Sequence, residues 1–125
     1  MALPKLLIGI TGSIAAKKTI ELINLLSSNY QINIICTKEG IKYINRDDYK
    51  NYQIYDSWEN EKYQSPHIEL SRWADQFIIY PATANIISKI SNGIADDLLS
   101  TTVLMYKGRV KIFPAMHEEM FLDTH

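Results

Sequence analysis

Apolar and polar positions divide the first third of the chain into strands and helices. Lys5–Ile10 is an apolar run that ends at a glycine turn, which is typical of a strand buried on both faces. Over residues 14–27 the apolar positions fall on one wide face of a helix, and Ser13 is a candidate N-cap for that helix. Gln31–Cys36 alternates and then becomes apolar, which predicts a second strand, and residues 39–44 predict a short helix.

Regular patterning returns after an irregular middle segment. Residues 45–63 are rich in Tyr, Asn, Asp and Lys and have no clean period, so we expect a connection whose aromatic side chains cover the core or a neighbouring subunit. Beyond it we predict two further strands, each ended by a proline, and two further helices. These are strands at 76–80 and 109–113, and helices at 85–91 and 96–105.

The alternation of strands with helices indicates right-handed βαβ units and a parallel sheet covered on both faces. We therefore predict a Rossmann-like three-layer α/β sandwich. Ligands of such folds bind at the carboxyl ends of the strands, so the residues that follow each strand are candidates for a binding site. These candidates are residues 11–13 (TGS), Thr37, residues 81–85 (PATAN) and residues 114–117 (PAMH).

The first of these loops, GITGSIAAKKT at residues 9–19, nearly matches a nucleotide-binding P-loop. Counting from Gly12, a lysine and a hydroxyl side chain follow at the required spacing, but Lys17 stands where that motif has its second glycine. A lysine there hinders the close backbone approach that a glycine allows. A loop of small residues leading into a helix still offers N–H groups and a positive dipole end to a phosphate. The alternative is a plain strand-to-helix turn.

Composition agrees with one globular domain. Of the 125 residues, 46% are hydrophobic and 22% are charged. The 13 basic and 14 acidic residues give a net charge of −1, which argues against nucleic-acid binding. No apolar run approaches the ~20 residues that span a bilayer, and residues 1–5 do not resemble a signal peptide. We therefore expect a cytoplasmic protein without a membrane partner.

Histidine and cysteine side chains are the next candidates for chemistry. His67 precedes a short amphipathic turn and His117 lies in the last strand-end loop, so both are candidates for proton transfer, because imidazole titrates near neutral pH. A structural role is the alternative for each. His125 is terminal, the histidines lack the spacing of a metal motif, and we predict no bound metal. Cys36 lies within a predicted strand and is assigned to the core.

Three segments, in this order along the chain, resemble the flavin-containing cysteine decarboxylases: GITGSIAAKK, HIELSRWADQFIIYPATANIISKISNGIADDLLSTTVL and PAMHEEMF. This family includes the phosphopantothenoylcysteine decarboxylases of coenzyme A synthesis and the peptidyl-cysteine decarboxylases of lantibiotic synthesis. The resemblance covers residues 5–121 and implies that the first loop contacts FMN and its phosphate. It also implies that His67 is the active-site histidine. The residues that it assigns to FMN binding are Gly12, Ser13, Ile14, Thr37, Thr83, Ala84 and Asn85.

The resemblance also implies a reaction. A carboxylate beside a saturated, thiol-bearing carbon has nowhere to place the electrons that decarboxylation releases. Oxidation of the carbon–sulfur unit to a thioaldehyde creates an electron sink, with FMN accepting the hydride equivalent, and loss of carbon dioxide gives an enethiolate. The length of the match favours 4'-phosphopantothenoylcysteine as the substrate. A peptide with a C-terminal cysteine is the alternative substrate, and an FMN-binding protein without turnover is the alternative function.

The segment at 114–121 departs from the family pattern at two positions. His117 replaces an asparagine that binds the substrate carboxylate in the family, and Phe121 replaces a tryptophan. An imidazole can still hydrogen-bond a carboxylate, and does so more strongly when charged. We therefore assign substrate binding to Ala115, Met116 and His117, and count His117 with His67 as catalytic.

The family also carries expectations about the whole molecule. Its domain usually continues beyond the point where this chain ends, so we expect one FMN-binding domain over residues 1–125 that lacks the family's C-terminal part. The family places its flavin at a subunit interface. We therefore expect a homo-oligomer, a trimer or a multiple of a trimer.

Overall fold

Five parallel strands form one sheet in the computed structural model, which describes residues 2–59 and 62–115. Every neighbouring pair of strands runs parallel, so the predicted α/β sandwich with a parallel sheet is confirmed. The strands are β1 Lys5–Ile10, β2 Gln31–Cys36, β3 Gln53–Tyr55, β4 Gln76–Ala82 and β5 Val110–Pro114. Their order across the sheet is β3-β2-β1-β4-β5.

Helices cover both faces of the sheet. The α-helices are α1 Thr19–Leu26, α2 Pro66–Trp73, α3 Ala84–Ser91 and α4 Leu98–Met105, and 3-10 helices lie at Ile14–Lys18, Gly40–Tyr43 and Arg46–Tyr49. α1 packs on one face, and α2, α3 and α4 pack on the other, which gives the three layers. None of the helices in the described ranges has the length and apolar character that crossing a bilayer requires.

The core lies on both sides of β1, because alternate side chains of a strand point to opposite faces. Leu7 packs with Leu70 of α2 and Leu99 of α4, whereas Ile8 packs with Ile23 of α1. All five side chains are fully or almost fully buried. Burial of one such side chain stabilises a fold by about 1.5–3 kcal/mol. This two-sided burial explains why the strand is continuously apolar.

The helix predicted over residues 14–27 is divided. Ile14–Lys18 is a 3-10 helix, a common form at helix N-termini, and the α-helix begins only at Thr19. Ser13 is confirmed as the N-cap, because its Oγ accepts a hydrogen bond at 3.1 Å from the backbone N–H two residues later. The Thr19 hydroxyl donates to the Tyr80 carbonyl oxygen at 3.2 Å, which ties the start of α1 to β4. That contact is tertiary, and apolar spacing does not encode it.

The segment at 45–63 holds more regular structure than its composition indicates. It contains a 3-10 helix and β3, whose three residues pair with β2 and add a fifth strand that the pattern did not predict. Tyr49 and Tyr55 are buried in the core, whereas Trp58 is exposed. The short helix predicted just before this segment is a 3-10 helix. Pairing with β2, not local periodicity, therefore decides this region.

Pro81 does not end β4, contrary to the prediction, because the strand continues to Ala82. The Tyr80–Pro81 peptide bond is cis. The pairing with β5 shifts register between Ile79 and Ala82, so the missing N–H of Pro81 falls where the ladder is already irregular. Pro114 likewise belongs to β5, which is an edge strand and tolerates proline.

The strand order creates a topological switch point between β1 and β4. From β1 the chain continues to β2 and β3 on one side of the sheet, and then returns to β4 on the other side. The connections that leave β1 and β4 therefore diverge and open a crevice at the carboxyl ends of these strands, where ligands of open α/β sheets bind.

Candidate functional site

One buried side chain, Thr11, joins the loops that follow β1 and β4. Its hydroxyl donates to the Pro81 carbonyl oxygen at 2.6 Å and accepts from the Thr83 backbone N–H at 3.0 Å. Its own backbone N–H also donates to the Pro81 carbonyl oxygen, at 3.3 Å. Because Thr11 is buried, water does not compete for these bonds. They hold the two loops at a fixed separation.

The loop after β1 contains hydrogen-bond donors that have no acceptor among the described residues. In the described part of the chain, the backbone N–H groups of Gly12 and Ile14 have no acceptor. Ser13 uses an oxygen lone pair for capping, so its hydroxyl proton remains available. A side-chain carbon at position 12 would lie 2.5 Å from the Cβ of Glu39. Only glycine therefore lets this loop pass so close to the chain that follows β2.

The loop after β4 repeats this arrangement at the start of α3. Thr83 Oγ1 accepts from the Ile86 backbone N–H at 3.3 Å, which again leaves the hydroxyl proton available. The backbone N–H groups of Ala84 and Asn85 have no acceptor among the described residues. As the first residues of α3, they carry the positive end of its dipole. Such donors suit a phosphate group.

Both loops line one cavity of about 500 Å³, a volume within the range of small-molecule sites (roughly 300–1,000 Å³). Its lining residues are Gly12, Ser13, Ile14, Tyr43, Thr83, Ala84 and Ala115. Two further residues of the predicted FMN set, Thr37 and Asn85, line a second cavity of about 250 Å³. The two cavities are lined by consecutive residues, since Asn85 directly follows Ala84. The structure thus brings the whole predicted FMN set to one edge of the sheet.

A partly exposed ion cluster lies beside Asn85, and two of its members, Lys89 and Asp97, line the second cavity. Lys89 Nζ is 3.0 Å from Asp96 Oδ1 and 3.6 Å from Asp97 Oδ2. The hydrogen bond to Asp96 raises the pKa of Lys89, and the same bond lowers the pKa of Asp96. Asp97 also caps α4, because its Oδ1 accepts from the Ser100 backbone N–H at 2.7 Å. The cluster therefore ties α3, which carries Asn85, to the start of α4.

His67 is not among the residues that line the two cavities. It is the second residue of α2. Its Nδ1 is buried and has no hydrogen-bond partner among the described residues. Its ring lies against Trp58, with ring centroids 5.0 Å apart. Within one chain, the structure therefore gathers the candidate phosphate-binding residues but does not bring the candidate catalytic histidine to them.

The predicted substrate-binding residues are only partly within the described chain. Ala115 lines the larger cavity, and its backbone N–H donates to the Ala82 carbonyl oxygen at 2.8 Å. Met116 and His117 lie outside the described residues, so their assignment stays a prediction. The described ranges contain no group of three or more side chains suited to holding a metal ion.

Three residues of this site were not predicted from the sequence. Thr11 was noticed only as part of a loop, although a polar residue directly after an apolar strand is a usable signal. Tyr43 carried no signal, because its place beside the cavity depends on how a short helix packs. Lys89 pairs with carboxylates across the break at Gly93, and helical spacing does not predict such a pair.

Comparison with known proteins places these features in context. A family model described as Flavoprotein matches residues 2–124. The coenzyme A biosynthesis bifunctional protein CoaBC of Methanocaldococcus jannaschii is 42% identical over 120 residues, which cover 94% of this chain and 30% of that protein. The chain thus spans less than a third of the length of this relative.

Two solved structures resemble the whole fold. A PPC decarboxylase complexed with pantothenoylaminoethenethiol has a TM-score of 0.83 and 28% identity, and the match covers 97% of this chain and 71% of that one. The FMN-dependent cysteine decarboxylase SpaF has a TM-score of 0.85 and 28% identity, with 98% of this chain and 74% of that one covered.

Proposed function

Since the chain belongs to the Flavoprotein family, we propose that it is an FMN-dependent decarboxylase of a cysteine-derived carboxylate. The observation that carries this proposal is the pair of loops after β1 and β4, which Thr11 joins across the switch point. Together they line one cavity and offer unused donors to it. The similarity to CoaBC and to two decarboxylases of known structure supports the same reaction class.

The residues present fit FMN better than a nucleoside triphosphate. The hydroxyls of Ser13 and Thr83 and the N–H groups at the start of α3 are donors for one phosphate. Ile14 is exposed at the cavity and offers an apolar wall to a flat ring. Neither lysine of the near P-loop match, Lys17 or Lys18, lines this cavity. The resemblance to a P-loop is therefore accidental in this proposal.

In the proposed reaction, the cofactor accepts electrons, and the protein binds the substrate and transfers a proton. When bound, FMN supplies an acceptor for the hydride equivalent released as the substrate's carbon–sulfur unit is oxidised, which creates the electron sink for decarboxylation. We assign proton transfer at the substrate to His67. We assign binding of the substrate carboxylate to His117, with Ala115 and Met116 beside it. A hydrogen bond to a charged group contributes about 1.5–3 kcal/mol.

The active form in this proposal is a homo-oligomer, a trimer or a multiple of a trimer. Because His67 does not line either cavity of its own chain, a neighbouring copy can supply the histidine. Apolar side chains suited to such contacts are exposed around α4 and the cavity. They are Ile14, Ile94, Leu104 and Met105. We also propose that the protein acts in the cytoplasm.

The proposed substrate is 4'-phosphopantothenoylcysteine of coenzyme A synthesis. Two comparisons support it: CoaBC is named for coenzyme A biosynthesis, and the PPC decarboxylase structure contains a pantothenoyl compound with an ethenethiol group. A peptide ending in cysteine is the competing substrate, and the sequence resemblance leaves it open.

Carbon dioxide release tests the proposal. The purified protein should carry a flavin absorption band and release carbon dioxide from 4'-phosphopantothenoylcysteine faster than from a cysteine-terminated peptide. His67→Asn should keep the flavin and lower the release about 100- to 10,000-fold, the usual contribution of a general acid or base. Carbon dioxide release from the cysteine-terminated peptide alone would show that the peptide, not 4'-phosphopantothenoylcysteine, is the substrate. Bound flavin with no release from either compound would leave a flavin-binding protein and overturn the decarboxylase assignment.

A further inference from the structure

Trp58 is the ring that contacts His67. The two ring centroids are 5.0 Å apart and the ring planes meet at 81°, an edge-to-face arrangement. This geometry is favourable because the positive edge of one ring meets the negative face of the other. Trp58 nevertheless remains 44% exposed, so burial alone does not account for its position.

The imidazole of His67 lacks the usual means of orientation. A functional histidine is normally held by a hydrogen bond from the ring nitrogen that does not react, and this bond sets both the tautomer and the ring angle. Here Nδ1 is buried, and no group in the described ranges pairs with it. Among the described residues, the edge-to-face contact with Trp58 is a contact that can hold the ring at a fixed angle.

The segment that carries Trp58 is itself held in place. Just before it, the Asp56 carboxylate accepts from the Arg46 guanidinium at 2.8 Å. The buried ring of Tyr55, at the end of β3, stacks on Tyr63 with centroids 5.7 Å apart. An ion pair and a ring stack therefore hold Asp56 and Tyr55, which lie just before Trp58 in the chain.

We propose that Trp58 is a positioning residue that orients the His67 imidazole for proton transfer by a ring contact in place of a hydrogen bond. This inference rests on the proposed function, in which His67 moves a proton. It assigns Trp58 no contact with substrate or flavin. Its effect passes entirely through the histidine ring.

Nuclear magnetic resonance of the imidazole nitrogens tests the contact directly in the flavin-loaded protein. The chain has 3 histidines, so the His67 signals can be assigned by their loss in His67→Asn. Trp58→Leu keeps an apolar side chain without a ring, and should change the nitrogen shifts of His67, because the ring that holds its orientation and tautomer is lost. Trp58→Phe should keep the native shifts. Phe113→Ala is a matched control, because Phe113 is 46% exposed and makes an edge-to-face contact with Tyr80.

Measurement of kcat and KM in the Trp58 variants is the second test of the proposal. Trp58→Leu should lower kcat about 10- to 100-fold while KM and flavin content stay within about twofold, because a small misplacement of a reacting group slows the chemical step. Trp58→Phe should restore kcat. Unchanged His67 shifts in Trp58→Leu would overturn the inference, and so would an unchanged kcat in an active protein. A wild-type protein that releases no carbon dioxide would instead defeat the proposed function, and the nitrogen shifts alone would then decide whether Trp58 orients His67.

Discussion

Thr11 makes the hydrogen bonds that join the two loops of the candidate site. Its hydroxyl uses both donor and acceptor capacity to connect two loops that lie 70 residues apart in the sequence. A hydroxyl in this position cannot be replaced by an apolar group without leaving the Pro81 carbonyl oxygen and the Thr83 N–H with fewer partners. Buried polar groups that lose a partner cost about 1–3 kcal/mol.

Thr11→Val should therefore destabilise the fold by about 1–3 kcal/mol, because valine has a similar volume and no hydroxyl. It should also weaken FMN binding, since the two loops lose their connection. Urea unfolding and FMN titration measure the two effects. Thr11→Ser keeps the hydroxyl and should lose little by either measure. A Thr11→Val protein as stable as the native one would show that the bridge contributes nothing.

Ser13→Asp should separate flavin binding from folding. Aspartate caps a helix as well as serine does, so stability should hold. Its charge would face the flavin phosphate, and two unit charges 4 Å apart repel by about 4 kcal/mol near a protein surface. The ratio of flavin absorption to protein absorption should fall more than tenfold, whereas Ser13→Thr should keep it. Unchanged flavin content in Ser13→Asp would count against phosphate binding at this loop.

The raised pKa of the Cys36 thiol predicts that the free energy of unfolding falls at high pH. Burial, with a smaller contribution from the Asp56 carboxylate, raises the pKa of the Cys36 thiol from 9.0 to about 12. The unfolded chain therefore releases this proton at a lower pH than the folded chain does. The stabilisation is complete below pH 9 and is lost between pH 9 and pH 12. Where only the unfolded thiol ionises, the loss is about 1.4 kcal/mol per pH unit.

Urea unfolding across this pH range measures the slope. Cys36→Val should reduce the slope without removing it, because burial also raises the pKa of Tyr55, to about 12, and raises the pKa of Tyr49. A thiol reagent at pH 8 should label Cys36 only when the protein unfolds. Rapid labelling of the folded protein would contradict its burial.

Two neighbouring carboxylates, Asp96 and Asp97, connect helix α3 to the start of helix α4. Asp97 satisfies the first turn of α4 through a capping box with Ser100, and it also pairs with Lys89 of α3. Asp96 contributes a second ion pair but is more exposed and caps nothing. The two neighbouring carboxylates therefore have different tasks, and substitution can separate them.

Asp97→Ala should destabilise the protein by about 0.5–2 kcal/mol, the usual cost of losing an N-cap. Asp97→Asn should recover most of this, because asparagine also caps helices and only the charge is lost. Asp96→Ala should have the smallest effect of the three. Urea unfolding at pH 7 gives the order. An Asp96→Ala loss larger than that of Asp97→Ala would show that the ion pair, not the cap, dominates.

The assembled protein should have a mass of three 14.4 kDa chains or a multiple of three. Leu104 is 62% exposed at the end of α4, and a small domain gains by covering such side chains. Light scattering during size exclusion measures the mass. Leu104→Glu should shift the distribution toward smaller species, whereas Lys107→Glu, a charge change in the turn just after α4, should not. A stable flavin-bound monomer would end the trimer proposal.

Local pattern by itself determined four strands, the parallel sheet and the edge of the sheet where the candidate site lies. Strands β1, β2, β4 and β5 are short apolar runs between turns, and that signal arises within each segment. Ser13 was identified as a cap for the same reason, since it bonds to a backbone N–H two residues later. Family resemblance then added the candidate FMN-binding residues, and the structure gathers them at one edge of the sheet.

Tertiary structure alone decided β3, the continuation of β4 through Pro81, the Thr11 bridge and the contact of Trp58 with His67. β3 exists because β2 offers it a ladder, and its three residues carry no period of their own. The Thr11 bridge and the strand register depend on residues far apart in the chain. Periodicity reports which side of an element is apolar, but it does not report which distant group will complete a hydrogen bond or a ring contact. For the same reason, only the folded chain revealed that His67 does not line the cavities formed by the proposed FMN-binding residues.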